Sequence, residues 1–177
     1  MIAARALATA ALLVPALAAA LEPRFDHRDT HGSFAEALVA HDTVAISGRA
    51  SASSWRPAAR VGWGFDLSGE GDEILFGATA ALRSYDDPGG ERVLLGADAR
   101  YRGYFGSEEL KTFFDLGAWA PLRSRLAFGP LVGLGAAYDF SRFGGVYLSG
   151  TFATAFGKAR IASLSLAFGA HFRFELP

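Results

Sequence analysis

From Arg60 to the C-terminus the chain alternates two residue types at every second position, and nearly every charge falls on one of the two phases. The last stretch shows the pattern plainly. Leu164, Leu166, Phe168, Ala170, Phe172, Phe174 and Leu176 occupy one phase, while Ser163, Ser165, Ala167, Gly169, His171, Arg173 and Glu175 occupy the other. A period of two sends successive side chains to opposite faces of an extended strand, so the pattern predicts β-strands standing between two different environments.

With turn residues as punctuation, eight strands are predicted over residues 43–53, 58–68, 72–85, 92–105, 110–121, 126–140, 145–156 and 161–176. Between them, Ser68-Gly69-Glu70-Gly71, Asp86-Asp87-Pro88-Gly89-Gly90, Gly106-Ser107-Glu108-Glu109 and Ser141-Arg142-Phe143-Gly144 supply the chemistry of chain reversal. Each strand reaches the roughly 9 to 11 residues that a tilted strand needs to cross a bilayer. The preceding segment, 22–42, is polar and holds His27, His31 and His41. Its Ser33-Phe34-Ala35-Glu36 fits a helix capping box, which predicts a short helix or a lid over one mouth; an extension of the first strand fits equally well.

The apolar phase carries no charge: Val61, Trp63, Phe65 and Leu67 in the second strand, Ile74, Phe76, Ala78, Ala80 and Leu82 in the third, and so on around the set. The opposite phase holds Arg60, Asp66, Glu73, Arg83, Arg92, Asp98, Arg100, Arg102, Lys111, Asp115, Asp139, Arg173 and Glu175, seven positive against six negative. A soluble cup would put the apolar phase inside, and a membrane barrel would put it outside. Glycine decides between them. Gly62, Gly64, Gly77, Gly96, Gly117, Gly129, Gly133, Gly135, Gly157 and Gly169 share the charged phase. A water-facing surface gains nothing from them, whereas the tight interior of an eight-stranded barrel needs the room for long arginines to cross and pair. Trp63, Phe65, Tyr101, Phe105, Phe128, Tyr138, Phe140, Phe156 and Phe174 lie near strand ends, where interfacial girdles form. The expected fold is therefore all-β, an eight-stranded antiparallel up-and-down transmembrane β-barrel. Its lumen would hold an ion-pair network of Arg60, Asp66, Arg83, Asp98, Arg100, Arg102, Asp115, Asp139 and Arg173.

The N-terminus agrees with export. Arg5 begins it, Ala6 to Val14 form an apolar run, Pro15 breaks it, and small residues follow at Ala16, Ala18, Ala19 and Ala20. That is a secretory leader over 1–20 with cleavage between Ala18 and Ala20, too short an apolar run for the roughly 20 residues of a spanning helix. The predicted organisation is the leader, a polar periplasmic segment over 21–42, and the barrel over 43–177. Across all 177 residues, 17 Lys and Arg balance 18 Asp and Glu, which gives no electrostatic footprint for nucleic acid. No cysteine is present, so disulfides, thiol catalysis and thiolate metal sites are excluded.

Two stretches carry a family likeness. Phe128-Gly129-Pro130-Leu131-Val132-Gly133-Leu134-Gly135-Ala136-Ala137-Tyr138-Asp139-Phe140 is similar to a recurring strand of the small Gram-negative outer-membrane barrels, a group that includes the OmpA transmembrane domain and OmpX-like proteins. Gly169, Phe172 and Phe174 resemble the C-terminal signal read by the barrel-assembly machinery of that group, although the chain runs on through Glu175-Leu176-Pro177. The resemblance implies an outer-membrane location, contact with membrane lipid and lipopolysaccharide, assembly by that machinery, and a monomer.

Candidate chemistry is sparse. Lipid-modifying barrels of the deacylase or palmitoyltransferase kind need a histidine with a serine and an acid at the lipid face or outer mouth. With the barrel starting at Thr43, its only histidine is His171, on the inward phase, and reads as a network member. Asp26, His27, Asp29 and His31 offer imidazole and carboxylate donors but no fourth dependable ligand, so they read as a solvated tail and no metal or cofactor is expected. Eight strands leave an interior that side chains fill, which argues against conduction of anything larger than water or a small ion. The expectation is a non-enzymatic barrel with a structural or surface-interaction role. The alternatives are a lipid-modifying enzyme, a soluble lipocalin-like binder and a narrow pore.

Overall fold

The computed structural model describes residues 32–48, 51–67, 72–82, 93–106, 109–122, 127–141, 143–157 and 160–175, with the side chains of Asp66 and Glu175 not among them. The expected leader, His27 and His31, and most of the turn segments lie outside the described residues. Eight strands are present: β1 (Gly32–Ile46), β2 (Ala52–Asp66), β3 (Glu73–Leu82), β4 (Val93–Gly106), β5 (Leu110–Pro121), β6 (Gly129–Ser141), β7 (Gly144–Ala155) and β8 (Ile161–Glu175). They pair in chain order and β1 closes on β8, which gives a barrel in which every pairing is antiparallel. Closure removes the unpaired strand edges that would otherwise leave backbone N–H and C=O groups in a medium without water.

The outward face is apolar. Phe65, Phe76, Leu95, Leu116, Leu148 and Phe168 are all exposed on it, together with many others of their kind. A continuous band of this kind would be an aggregation surface in water, and it is the exterior that a barrel surrounded by hydrocarbon requires. Phe65, Phe105, Tyr138, Phe140 and Phe174 gather toward the end where β1 begins and β8 finishes, the terminal end, and Trp55, Phe128 and Phe156 toward the opposite mouth. The rings touch one another: Phe65 meets Phe76 edge-on at 6.1 Å and Phe105 stacks on Phe114 at 5.7 Å between centroids. Tyr101 donates to Asp72 Oδ2 at 2.5 Å at the terminal rim, an apolar body with a wet tip.

Strand 1 departs from the expectation. It begins at Gly32 instead of Thr43, so Ser33 to Glu36 form neither a helix nor a lid but the first rungs of the ladder, Ser33 opposite Trp63 and Glu36 opposite Arg60. The expected strand over 43–53 instead contains the end of β1, the turn at Ser47 and Gly48, and the start of β2. Gly48 takes φ +80°, a left-handed conformation that glycine adopts without steric cost. The physical reason is the polarity of β1. Its inward positions include Phe34, Leu38, Val44 and Ile46, while His41 and Thr43 face out, so apolar and polar residues do not sort by phase as they do elsewhere.

Candidate functional site in the charged lumen

Seen from the residues upward, the lumen holds one connected chain of charges and several separate groups beside it. Arg60 grips Asp98 through Nε (3.0 Å to Oδ2) and Nη2 (2.7 Å to Oδ1), and its Nη1 reaches Glu36 Oε1 at 3.2 Å. Asp98 also accepts from Arg100 Nε at 2.6 Å, and Arg100 Nη1 continues to Asp115 Oδ2 at 3.0 Å. Asp115 then receives the fork of Arg102, Nε at 2.7 Å and Nη2 at 2.9 Å. Glu36, Arg60, Asp98, Arg100, Asp115 and Arg102 thus form an alternating chain of opposite charges. Guanidinium suits it, because its planar donors serve two carboxylates at once.

Nearer the terminal end, Arg173 holds both oxygens of Glu73, with Nη2 at 2.7 Å from Oε2, and Tyr104 joins them by donating to Glu73 at 3.3 Å. Asp139, wholly buried, sits between Lys111 Nζ and His171 Nε2, each at 2.8 Å. Arg102 lies over the Phe113 ring at 4.0 Å and Arg60 over Phe34 at 4.6 Å, so the cations are sandwiched as well as paired. These contacts fill the terminal half of the barrel. The space left there is about 10 Å³, at the lower limit for a single water.

Toward the opposite mouth the lumen widens into a cavity of about 200 Å³. Glu36, Arg102 and Tyr147 line both spaces and form the partition between them, with Tyr147 donating to Glu36 Oε2 at 3.3 Å. A planar-bilayer recording therefore shows little or no conductance through the wild-type barrel, whereas Arg102→Ser, which removes the partition's guanidinium, raises it. Equal conductance of the two would contradict the plug.

Of the residues expected in the network, Arg60, Asp98, Arg100, Arg102 and Asp115 come together in one chain, while Asp139 and Arg173 belong to separate pairs nearer the terminal end. Arg83 and the side chain of Asp66 lie outside what the structure describes. Sequence reasoning missed Glu36, Asp42 and Arg56, since the first sits on the unrecognised half of β1 and the others on strands whose start was misplaced. Glycine's part in the packing is concrete at Gly77. A Cβ there would lie 2.5 Å from Arg60 Nε and 2.6 Å from Nη2. Gly77→Ala should therefore push Arg60 off Asp98 and destabilise the barrel by about 1–3 kcal/mol, the usual cost of overpacking, read as a shifted urea midpoint in lipid vesicles.

The longer β1 also corrects the expectation that His171 is the barrel's only histidine. His41 lies on the outer surface near the mouth, edge-on to Trp55 at 5.0 Å, and its Nε2 is 3.1 Å from Ser53 Oγ, which in turn is 3.1 Å from Thr43 Oγ1. Among the described residues no carboxylate is bonded to this imidazole. Gly169 is inward and tightly packed against β1, with 2.8 Å left for a Cβ before Leu38, and Phe172 and Phe174 face outward.

No protein-family model matches the chain, and no characterised protein matches it by sequence. Solved structures do. Neisserial surface protein A superposes with a TM-score of 0.56 at 16% identity, over 81% of this chain and 97% of that one. OprG of Pseudomonas aeruginosa gives 0.48 at 10% identity over 86% and 100%, and Ail, the attachment invasion locus protein of Yersinia pestis, gives 0.47 at 11% over 80% and 99%. At such identities the likeness is one of fold. The chain has the fold of the small eight-stranded outer-membrane barrels.

Proposed function

We propose that this chain is a monomeric bacterial outer-membrane barrel with a structural or surface-interaction role, exported by a leader that is cleaved between Ala18 and Ala20. The observation that carries the reading is the uncharged apolar belt around a closed barrel whose inward arginines, among the described residues, are paired with carboxylates. Ion pairing of this kind supports a plug better than a reaction centre, because every guanidinium of the central chain is already committed to a carboxylate. In this reading lipid and lipopolysaccharide surround the belt, and Gly169, Phe172 and Phe174 on β8 serve the assembly machinery. Expression of the whole chain in a Gram-negative host tests it: the protein should sediment with the outer membrane and begin at Ala19 to Leu21. Recovery in the soluble periplasmic fraction would overturn it.

A second reading, a lipid-modifying enzyme, is favoured by one specific contact, the 3.1 Å approach of His41 Nε2 to Ser53 Oγ on the lipid-facing surface near the mouth. A base beside a hydroxyl is the start of an activated nucleophile. Release of fatty acid from ester lipids in mixed micelles, abolished by Ser53→Ala, would establish it; no release leaves the contact as a polar pair at the membrane interface.

A further inference from the structure

The mouth cavity differs from the rest of the lumen in two ways. It leaves open space against an apolar wall, formed by Val44, Trp119, Leu131, Ala153 and Ile161. Ile161 packs with Ala127 and Ala155 into a small apolar cluster that Val44 and Trp119 join. An ion-pair plug alone does not require such a wall.

The second difference is Arg56. Its side chain is 3% exposed and lines the cavity, and its Nε faces Asp42 Oδ2 at 2.5 Å, yet Nη1 has no hydrogen-bond partner among the described residues. The other guanidiniums of this lining, Arg60, Arg100 and Arg102, are held by carboxylates. A buried charged donor without an acceptor is costly, and an incoming oxygen relieves that cost. Asp42 pairs Arg56, and Glu36, Asp98 and Asp115 pair the other three arginines, so it is the open Nη1 of Arg56 that calls for an acceptor, and an ionised oxygen serves a charged donor better than a neutral one.

Size restricts the rest of the ligand. An apolar cavity of about 150 Å³ takes benzene, so the 200 Å³ here admits a ring or a short acyl chain with one polar substituent. We propose that the mouth cavity binds a small monocarboxylate with a compact apolar body, its carboxylate on Arg56 Nη1 and its body against Trp119 and Ile161. Ser163, Ser165 and Thr151 on the same wall offer hydroxyls beside the apolar surface. The site lies at the end away from the start of β1, and its existence does not depend on which side of a membrane that end faces.

The test uses the mature chain folded in detergent micelles, titrated with 4-fluorobenzoate and followed by fluorine NMR against empty micelles. A saturable shift is expected with the barrel and absent without it. 4-Fluorobenzamide, which keeps the ring and loses the charge, should bind at least about tenfold more weakly, as should 4-fluorobenzoate to Arg56→Met, in keeping with the loss of one charge-assisted hydrogen bond. Ala153→Leu, which fills the cavity and leaves Arg56 in place, should abolish the shift; this arm decides the matter if Arg56→Met does not fold, as judged by heat-dependent gel mobility. No saturable shift, equal binding of the amide, or undiminished binding by either folded variant would overturn the proposal.

Discussion

Asp115→Ala destabilises the barrel by about 3–5 kcal/mol, the cost of stripping a buried pair of one partner. Asp115 accepts from Arg100 and twice from Arg102, and all three side chains are largely sheltered from solvent. Without the carboxylate Arg102 loses its fork of bonds and Arg100 keeps only Asp98, so a buried guanidinium is left without its counter-charge. The loss should appear as an earlier urea midpoint in lipid vesicles, with the unheated band of a stained gel giving the folded fraction. A triple replacement, Asp115→Leu with Arg100→Met and Arg102→Met, should recover most of the loss, because exchanging a whole buried ionic group for apolar side chains is often neutral. A single-mutant loss below about 1 kcal/mol, the scale of a solvated pair, would mean that the lumen is wet and the network is not a plug.

Leu134→Arg has the second large effect, from the opposite face. Leu134 is 71% exposed at the middle of β6, opposite Phe114 on one side and Gly150 on the other. Toward lipid, arginine at mid-height costs about 2–4 kcal/mol and falls to about 0–1 near the interfaces. Toward water, the same change would stay within about 0.5 kcal/mol. Phe128, 72% exposed beside the mouth, provides the internal control, since Phe128→Arg should cost much less than Leu134→Arg. The dependence on height is what a lipid-facing surface produces. Equal small costs at both positions would place the apolar face against something other than a bilayer.

Much of this architecture was legible in the chain because strands 2 to 8 sort their residues by phase. Phe76, Ala78 and Ala80 face outward while Gly77 and Thr79 turn inward, and the glycine phase marks the crowded side. The contact of Gly77 with the Arg60 guanidinium is the packing that this phase implied. β1 was not legible in the same way. Its inward Phe34, Leu38 and Val44 and outward His41 and Thr43 invert the rule, since the first two pack against arginine and tyrosine in the crowded half, Val44 lines an apolar mouth, and the polar pair meets Ser53 beside that mouth.

Partnering was also beyond the sequence. That Arg60 meets Asp98 depends on β2 and β4 flanking β3, with Gly77 at the crossing and the register pairing Gly77 with both Gly62 and Asp98. Alternation names which residues face inward; only register and side-chain reach decide which carboxylate each guanidinium finds. The cavity at the mouth is not legible in the sequence for the same reason, since its apolar wall is assembled from single residues on several strands.

The most direct measurement is refolding of the chain from Leu21 onward with and without detergent micelles, comparing unheated and heated mobility on a gel. An apolar exterior around a charged, paired interior predicts folding with micelles only and a faster unheated band. Folding in plain buffer with one mobility would mean that the two faces are reversed, and would contradict the account at its base.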